Sequence, residues 1–208
     1  MVVAGAYLLG SISFAILVSR LLALPDPRTF GSQNPGATNV LRTGSKLAAA
    51  LTLLGDGGKG WLAVFIAAHT TGQSVLAGVE LPLAGLGVVL GHMFPVFHRF
   101  KGGKGVATAA GMLLGLDLWL GLGTLATWAV ILALFRISSL AALAAALFAP
   151  CYAFWLFGLR PVFPAMLAIA VLLCWRHGDN IRRLLAGEER RLGAKPSAEP
   201  PAPSAGER

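Results

Sequence analysis

From Gly105 to Phe135 the chain runs for 31 residues with a single ionisable side chain, Asp117. As one helix this run would reach about 46 Å, against about 30 Å of hydrocarbon in a bilayer. It is too long for one ordinary span and short for two, and Asp117 and Gly121-Leu-Gly123 offer a turn. Comparable runs extend over Met1–Leu24, Leu47–Phe97 and Ile137–Trp175. The second is interrupted at His69-Thr-Thr-Gly-Gln-Ser74 and the last at Gly158-Leu-Arg-Pro161. Charged residues are only 12% of the chain and mean hydropathy is +0.72, whereas soluble domains carry about 25% charged residues. The chain therefore reads as all-α, a polytopic membrane protein. An outer-membrane barrel would need many alternating ten-residue segments, and none is evident.

Charge sets the expected topology. Of 17 Lys and Arg residues, 15 fall in Arg20–Lys46, Arg99–Lys104, Arg136 and the segment from Arg176 onward. The breaks between these clusters hold Glu80, Asp117 and a lone Arg160. The positive-inside rule puts all four basic clusters in the cytoplasm, with a helical hairpin between each successive pair. One span plus three hairpins gives seven transmembrane helices, with the N-terminus outside and the C-terminus cytoplasmic; because several spans are short, five with re-entrant pieces is the alternative. Outer turns are expected near Gly72, Gly121 and Gly158. Residues 1–186 form one membrane domain and 187–208 a cytoplasmic tail. The tail, rich in Pro, Ala and Ser from Lys195, is expected to be disordered. The net charge of +8 belongs to this orientation signal rather than to nucleic acid, since no stacking aromatics accompany the cations. Cys151 and Cys174 fall at depths about 9 Å apart at 1.5 Å per residue, too far for a disulfide.

The basic clusters carry more than charge. In Gly91–Thr108, GHMFPVFHRFKGGKGVAT, the glycines Gly102, Gly103 and Gly105 surround Lys104, with Lys101 beside them. Glycine lets backbone N–H groups approach an anion closely, and a helix starting near Gly105 would add its positive dipole end. This is a phosphate cradle at a membrane edge. It is not a Walker A loop, because Gly105 follows Lys104 and no glycine stands at position 98. The first cluster, GSQNPGATNVLR, supplies Ser32, Asn34, Thr38, Asn39 and Arg42. Thr38 or Asn39 could cap a short helix presenting Arg42, whose fork suits phosphate. In the third, Arg136-Ile-Ser-Ser139, Ser138 or Ser139 is expected to N-cap the next helix. In the fourth, RHGDNIRR, His177 and Asn180 share a helix face, and histidine is a proton carrier near neutral pH. His92 reads as a capping or packing residue within its span. Gly55-Asp-Gly-Gly-Lys-Gly60 is expected to break the second span, with Asp56 and Lys59 paired at i and i+3. No metal-ligand spacing, G-x-S-x-G elbow or His-x4-Asp motif occurs.

GSQNPGATNVLR, GHMFPVFHRFKGGKGVAT and RHGDNIRRL, in this order, closely resemble the bacterial acyl-phosphate:glycerol-3-phosphate acyltransferases. GDGGKG and RISSL match as well, so the resemblance covers roughly Gly10 to Glu188. It implies a multi-pass enzyme of the inner membrane with a cytoplasm-facing site and seven spans; a monomer without a cofactor is expected. The reaction implied moves a fatty acyl group from acyl phosphate to the 1-hydroxyl of glycerol 3-phosphate, giving lysophosphatidate and phosphate. Acyl-CoA and acyl carrier protein are not used. By motif match, Ser32, His177 and Asn180 fall on catalytic positions, and Arg42, Lys104 and Ser139 on substrate-binding ones. Gly102, Gly103, Lys101 and Asn39 join them as expected phosphate contacts, with Asp56 and Lys59 as a supporting pair. Glu188 matches an acidic residue of structural role. The residues agree in kind: two phosphate substrates need several cations, and a fatty chain needs a site beside the bilayer. An acyl phosphate leaves readily, so positioning and charge neutralisation carry the rate without metal or covalent nucleophile. A transporter for a phosphorylated metabolite would line both halves of a path with polar groups, and the outer loops here hold few. For a lipid-binding scaffold, His177 and Asn180 would be superfluous.

Overall fold

The computed structural model of the chain describes residues 1–74 and 78–193. The disorder expected from Lys195 lies outside the described residues. Among those described, the regular elements are ten α-helices and two 3-10 turns, with no strand. The helices are α1 (Val2–Gly10), α2 (Phe14–Leu21), α3 (Ala37–Val40), α4 (Lys46–Thr71) and α5 (Glu80–Met93), followed by α6 (Val106–Leu116), α7 (Leu118–Phe135), α8 (Ser138–Phe157), α9 (Val162–Arg176) and α10 (Gly178–Leu185). Three segments, Glu80–His98, α7 and α8, are long and apolar enough to cross a membrane. There are five if the bent pairs α1–α2, at 41°, and α9–α10, at 63°, each count as one. Seven spans would need α4 and α6 as well, but α6 has only 11 residues and α4 carries Lys46, Asp56 and Lys59.

The core follows from small residues and methionines. Ala84, Val88, Val89 and Met93 of α5 meet Met112 and Leu113 of α6, Val64 and Ala67 of α4, and Met166 and Ile169 of α9. α4 packs on α6, α1 on α5, and α7–α8–α9 follow as antiparallel neighbours. Lipid-facing side chains cover the outside, with Trp119 and Trp155 exposed at one end and Trp175 at the other, as in interfacial aromatic belts.

Two expectations about breaks are corrected. GDGGKG does not interrupt the second span: α4 is continuous from Lys46 to Thr71. The Asp56 carboxylate and Lys59 ammonium pair along the helix at 2.8 Å and are only 2% and 3% exposed. The glycines serve close approach instead. A methyl group on Gly60 would overlap the carbonyl oxygen of Thr108, and one on Gly111 would overlap that of Gly57. Such backbone-to-backbone contact is how helices associate where lipid removes the hydrophobic driving force. In hydrocarbon an unpaired backbone group costs several kcal/mol, more than the roughly 1 kcal/mol by which a helical glycine is disfavoured. The second correction concerns Gly121, which lies buried inside α7. The turn sits at Asp117, whose carboxylate accepts the Leu120 N–H at 2.9 Å and N-caps α7. Gly72 and Gly158, with φ of +64° and +66°, do end α4 and α8.

Candidate active site

The site grows from the end of α5. The chain leaves Met93 through Phe94-Pro95 and a 3-10 turn, then reverses at Arg99 and Phe100, with φ of +53° and +60°. Phe100 N–H returns to the Pro95 carbonyl at 3.0 Å and Gly103 N–H to that of His92 at 3.1 Å. Gly105, with φ of +85°, then turns the chain into α6 as expected. From the other side Arg176 grips the loop. Its Nη2 donates to the carbonyls of Gly102 at 2.7 Å and Gly103 at 3.0 Å, and its Nε to Gly103 at 3.2 Å. With these carbonyls held, Lys104 extends away and donates to the Asn180 side-chain oxygen. Gly102 and Lys104 face the cavity described below, while Gly103 is buried and Lys101 is exposed away from that wall.

The loop before α4 forms the facing wall. Asn39 does not cap α3; it is buried within it. Its amide nitrogen donates to the Pro27 and Phe30 carbonyls, and its oxygen accepts the Ser32 N–H at 3.0 Å. Asn39 thus shapes the loop on which Ser32 and Arg42 face the cavity. Burial lowers the Arg42 pKa from its usual value, and the nearby Arg190 adds to this.

Ser138 and Ser139 do not cap α8 by side-chain bonds. Thr38 and Ser138 hydroxyls lie 3.3 Å apart, tying the first loop to α8. Ser139 donates to Glu189 at 2.7 Å. Glu189 also accepts from Asn180 at 2.5 Å and Arg183 at 2.7 Å. Burial raises its pKa, but these three hydrogen bonds outweigh that and hold the carboxyl ionised. An internal carboxylate thus sits on donors able to take an oxyanion. Glu189, not Glu188, makes these bonds, and motif reading named only its neighbour.

These elements enclose a cavity of about 600 Å³ lined by Ser32, Asn34, Arg42, Gly102, Lys104, Arg176, Asn180 and Arg183, among others. Five cations in its wall (Arg42, Lys104, Arg176, Arg183 and Arg190) face three carboxylates, Asp179, Glu188 and Glu189. Desolvation brings the Lys104 pKa down to about 8, with Glu189 opposing the shift. His177 lies at the α9–α10 corner, 2% exposed and not in the cavity lining. One ring nitrogen, Nδ1, is 2.8 Å from the Leu173 carbonyl. Desolvation first, then Lys104, pull its pKa down to about 4. The structure thus gathers Ser32, Arg42, Gly102, Lys104 and Asn180 at one cavity, with Ser139 bonded into its wall and His177 behind it. Asp56 and Lys59 lie deeper in the bundle, on α4. Arg176 is not among the residues the sequence singles out, although it closes the last span and heads RHGDNIRRL. Chemically, the cavity suits a phosphorylated ligand held by lysine and arginine.

Residues 1–187 match the family described as Glycerol-3-phosphate acyltransferase. A Glycerol-3-phosphate acyltransferase from Ralstonia nicotianae is 58% identical over 190 residues, covering 91% of this chain and 92% of that protein. One from Cupriavidus taiwanensis is 59% identical, covering 91% and 94%. Among solved structures, the glycerol 3-phosphate form of PlsY (YgiH), an integral membrane glycerol 3-phosphate acyltransferase, is similar with a TM-score of 0.86. It is 39% identical and covers 92% of this chain and 94% of that one. The lysophosphatidic acid form of the same protein gives a TM-score of 0.84 at 38% identity.

Proposed function

The chain belongs to the glycerol-3-phosphate acyltransferase family, and from that premise we propose that it transfers a fatty acyl group from acyl phosphate to the 1-hydroxyl of glycerol 3-phosphate. The products are lysophosphatidate and inorganic phosphate. The observation that carries this reading is Lys104, seated on Asn180 in a cavity walled by Arg42, Arg176 and Arg183. The glycerol 3-phosphate and lysophosphatidic acid forms of the structural relative support the acceptor and the product. In the proposed reaction the hydroxyl oxygen attacks the acyl carbonyl carbon as the bond from that carbon to the phosphate oxygen breaks. Phosphate departs with the electron pair and takes the hydroxyl proton. Lys104 and Arg42 neutralise phosphate charge, Ser32 and the Gly102 backbone orient the phosphates, and Asn180 aims Lys104. Ser139 enters the site as Glu189 yields its bonds, and His177 fixes the corner that carries Asn180. No metal or cofactor takes part.

The donor tests the proposal. No feature of the cavity recognises the adenine of CoA or the surface of a carrier protein. Purified protein in detergent is expected to turn over palmitoyl phosphate with glycerol 3-phosphate and to give no turnover with palmitoyl-CoA. Comparable rates with both donors would sink the acyl-phosphate assignment.

The seven-span arrangement, with the N-terminus outside and the active site on the cytoplasmic face of the inner membrane, is part of the same proposal. Single cysteines at Ser74 and Ser197, with Cys151 and Cys174 replaced by alanine, are expected to label from opposite sides of intact cells. Labelling of both from one side would overturn the topology.

A further inference from the structure

His92 is 7% exposed on the last turn of α5, in contact with polar groups from three other segments. Its Nδ1 lies 3.2 Å from the Thr108 hydroxyl on α6 and 3.5 Å from the Asp56 carboxylate on α4. Asp56 pairs with Lys59, whose ammonium also donates to the Ile12 carbonyl at 2.6 Å, in the bend between α1 and α2. This polar chain crosses an apolar bundle, where buried ionisable groups are costly.

The far edge of the imidazole points at the glycine–lysine loop. A methyl group on Gly103 would overlap His92 Nε2 and come within 3.0 Å of both flanking ring carbons. The loop backbone therefore lies directly against that edge. The His92 carbonyl also accepts the Gly103 N–H, at 3.1 Å. Thr108, held by the near edge, is the third residue of α6, which starts at the residue after Gly105. His92 thus contacts the chain on both sides of Lys104. Arg176 holds the same two glycines by their carbonyls from the opposite side.

We infer that His92 is a positioning residue for the phosphate-binding loop, setting the place of Lys104, and that Asp56, Lys59 and Thr108 orient its ring. This rests on the acyltransferase reading for its kinetic consequence, but not for its structural one. Nothing in the proposed reaction uses the titration of His92: its ring is a strut with two polar edges. Ångström-scale misplacement of a binding group can cost up to about 10²-fold in rate.

The test uses the full chain in detergent with His92→Asn, His92→Gln and Thr108→Val. Asparagine keeps an amide near the Nδ1 edge and lacks the Nε2 edge; glutamine reaches towards the Nε2 position. Hydrogen exchange read by mass spectrometry over residues 100–106 is expected to quicken in His92→Asn, with α7 and α8 unchanged. In the same variant the KM for glycerol 3-phosphate should rise by about tenfold with a smaller change in kcat, as for a misplaced binding group. His92→Gln should restore much of both. Thr108→Val, which keeps shape and loses only the hydroxyl, should show the same pattern more weakly and serves if the His92 variants do not fold. Unchanged loop exchange in folded variants, or exchange quickened uniformly through the bundle with KM unaltered, would overturn the inference. Wild-type protein that fails to turn over glycerol 3-phosphate would instead sink the functional reading, and the loop exchange would still decide the role of His92.

Discussion

Replacing Lys104 by methionine is expected to lower kcat/KM for glycerol 3-phosphate by about 10²–10³-fold, the range seen when one preorganised donor to a developing anion is removed. Methionine keeps the length and loses the charge, so the loss measures the ammonium rather than the packing. The same residue should set the alkaline side of the pH profile. Desolvation has brought its pKa down to about 8, so the charged form is present below that value and is lost as pH rises through it. kcat/KM reports the ionisations of the free enzyme, and its alkaline limb should therefore fall near pH 8 in the wild type. Lys104→Arg keeps a charge that does not titrate in this range. It should lose activity through its altered geometry while moving the limb beyond reach. An alkaline limb unchanged in Lys104→Arg, or a Lys104→Met within about threefold of wild type, would remove Lys104 from the chemistry.

Lys104 was legible because its signal is local: three glycines and a cation between two apolar runs specify a loop before any tertiary contact is known. Ser32, Arg42 and Asn180 were legible for the same reason, each on a short polar segment at a span end. Residues defined by what they touch across the bundle were not. Glu189 reads as one of two adjacent glutamates in a tail, and only the fold brings it to Ser139, 50 positions earlier. His92 reads as packing, and only the meeting of α4, α5 and α6 gives it Asp56 and Thr108 as neighbours. The continuity of α4 was missed for a related reason. Glycines in GDGGKG signal a break when scored by helix propensity, yet between helices in lipid they signal contact. Asn39 shows the converse: its residue type stands out in the sequence, and its bonds to Pro27, Phe30 and Ser32 place it in the scaffold of its loop rather than at the cavity surface.

His177→Ala is expected to cost about 10²-fold in kcat without changing the shape of the pH–rate profile, and the second half of that outcome decides where the proton goes. A general base contributes about 10²–10⁴-fold, so the size of the loss cannot separate a base from a corner that fixes Asn180. The ionisation can. At a pKa of about 4, His177 stays neutral throughout the working range. It is far weaker as a base than one whose pKa lies near the operating pH. Its ring is fixed by the Leu173 carbonyl at 2.8 Å rather than by a carboxylate that would stabilise an imidazolium. In the proposed reaction the departing phosphate, bonded to the reacting carbon and gaining charge as it leaves, would be the stronger acceptor. The depressed pKa also makes a prediction about stability, and its sign is fixed by linkage. Between about pH 6.5 and 4 the unfolded chain binds the proton and the folded one does not, so stability falls as pH drops through that window. Wild-type Tm should therefore decline there more steeply than that of His177→Gln, which has nothing to titrate. A wild-type kcat governed by a pKa between 6 and 7 that disappears in His177→Ala, with KM unchanged, would make His177 the base and the phosphate a bystander to the proton transfer.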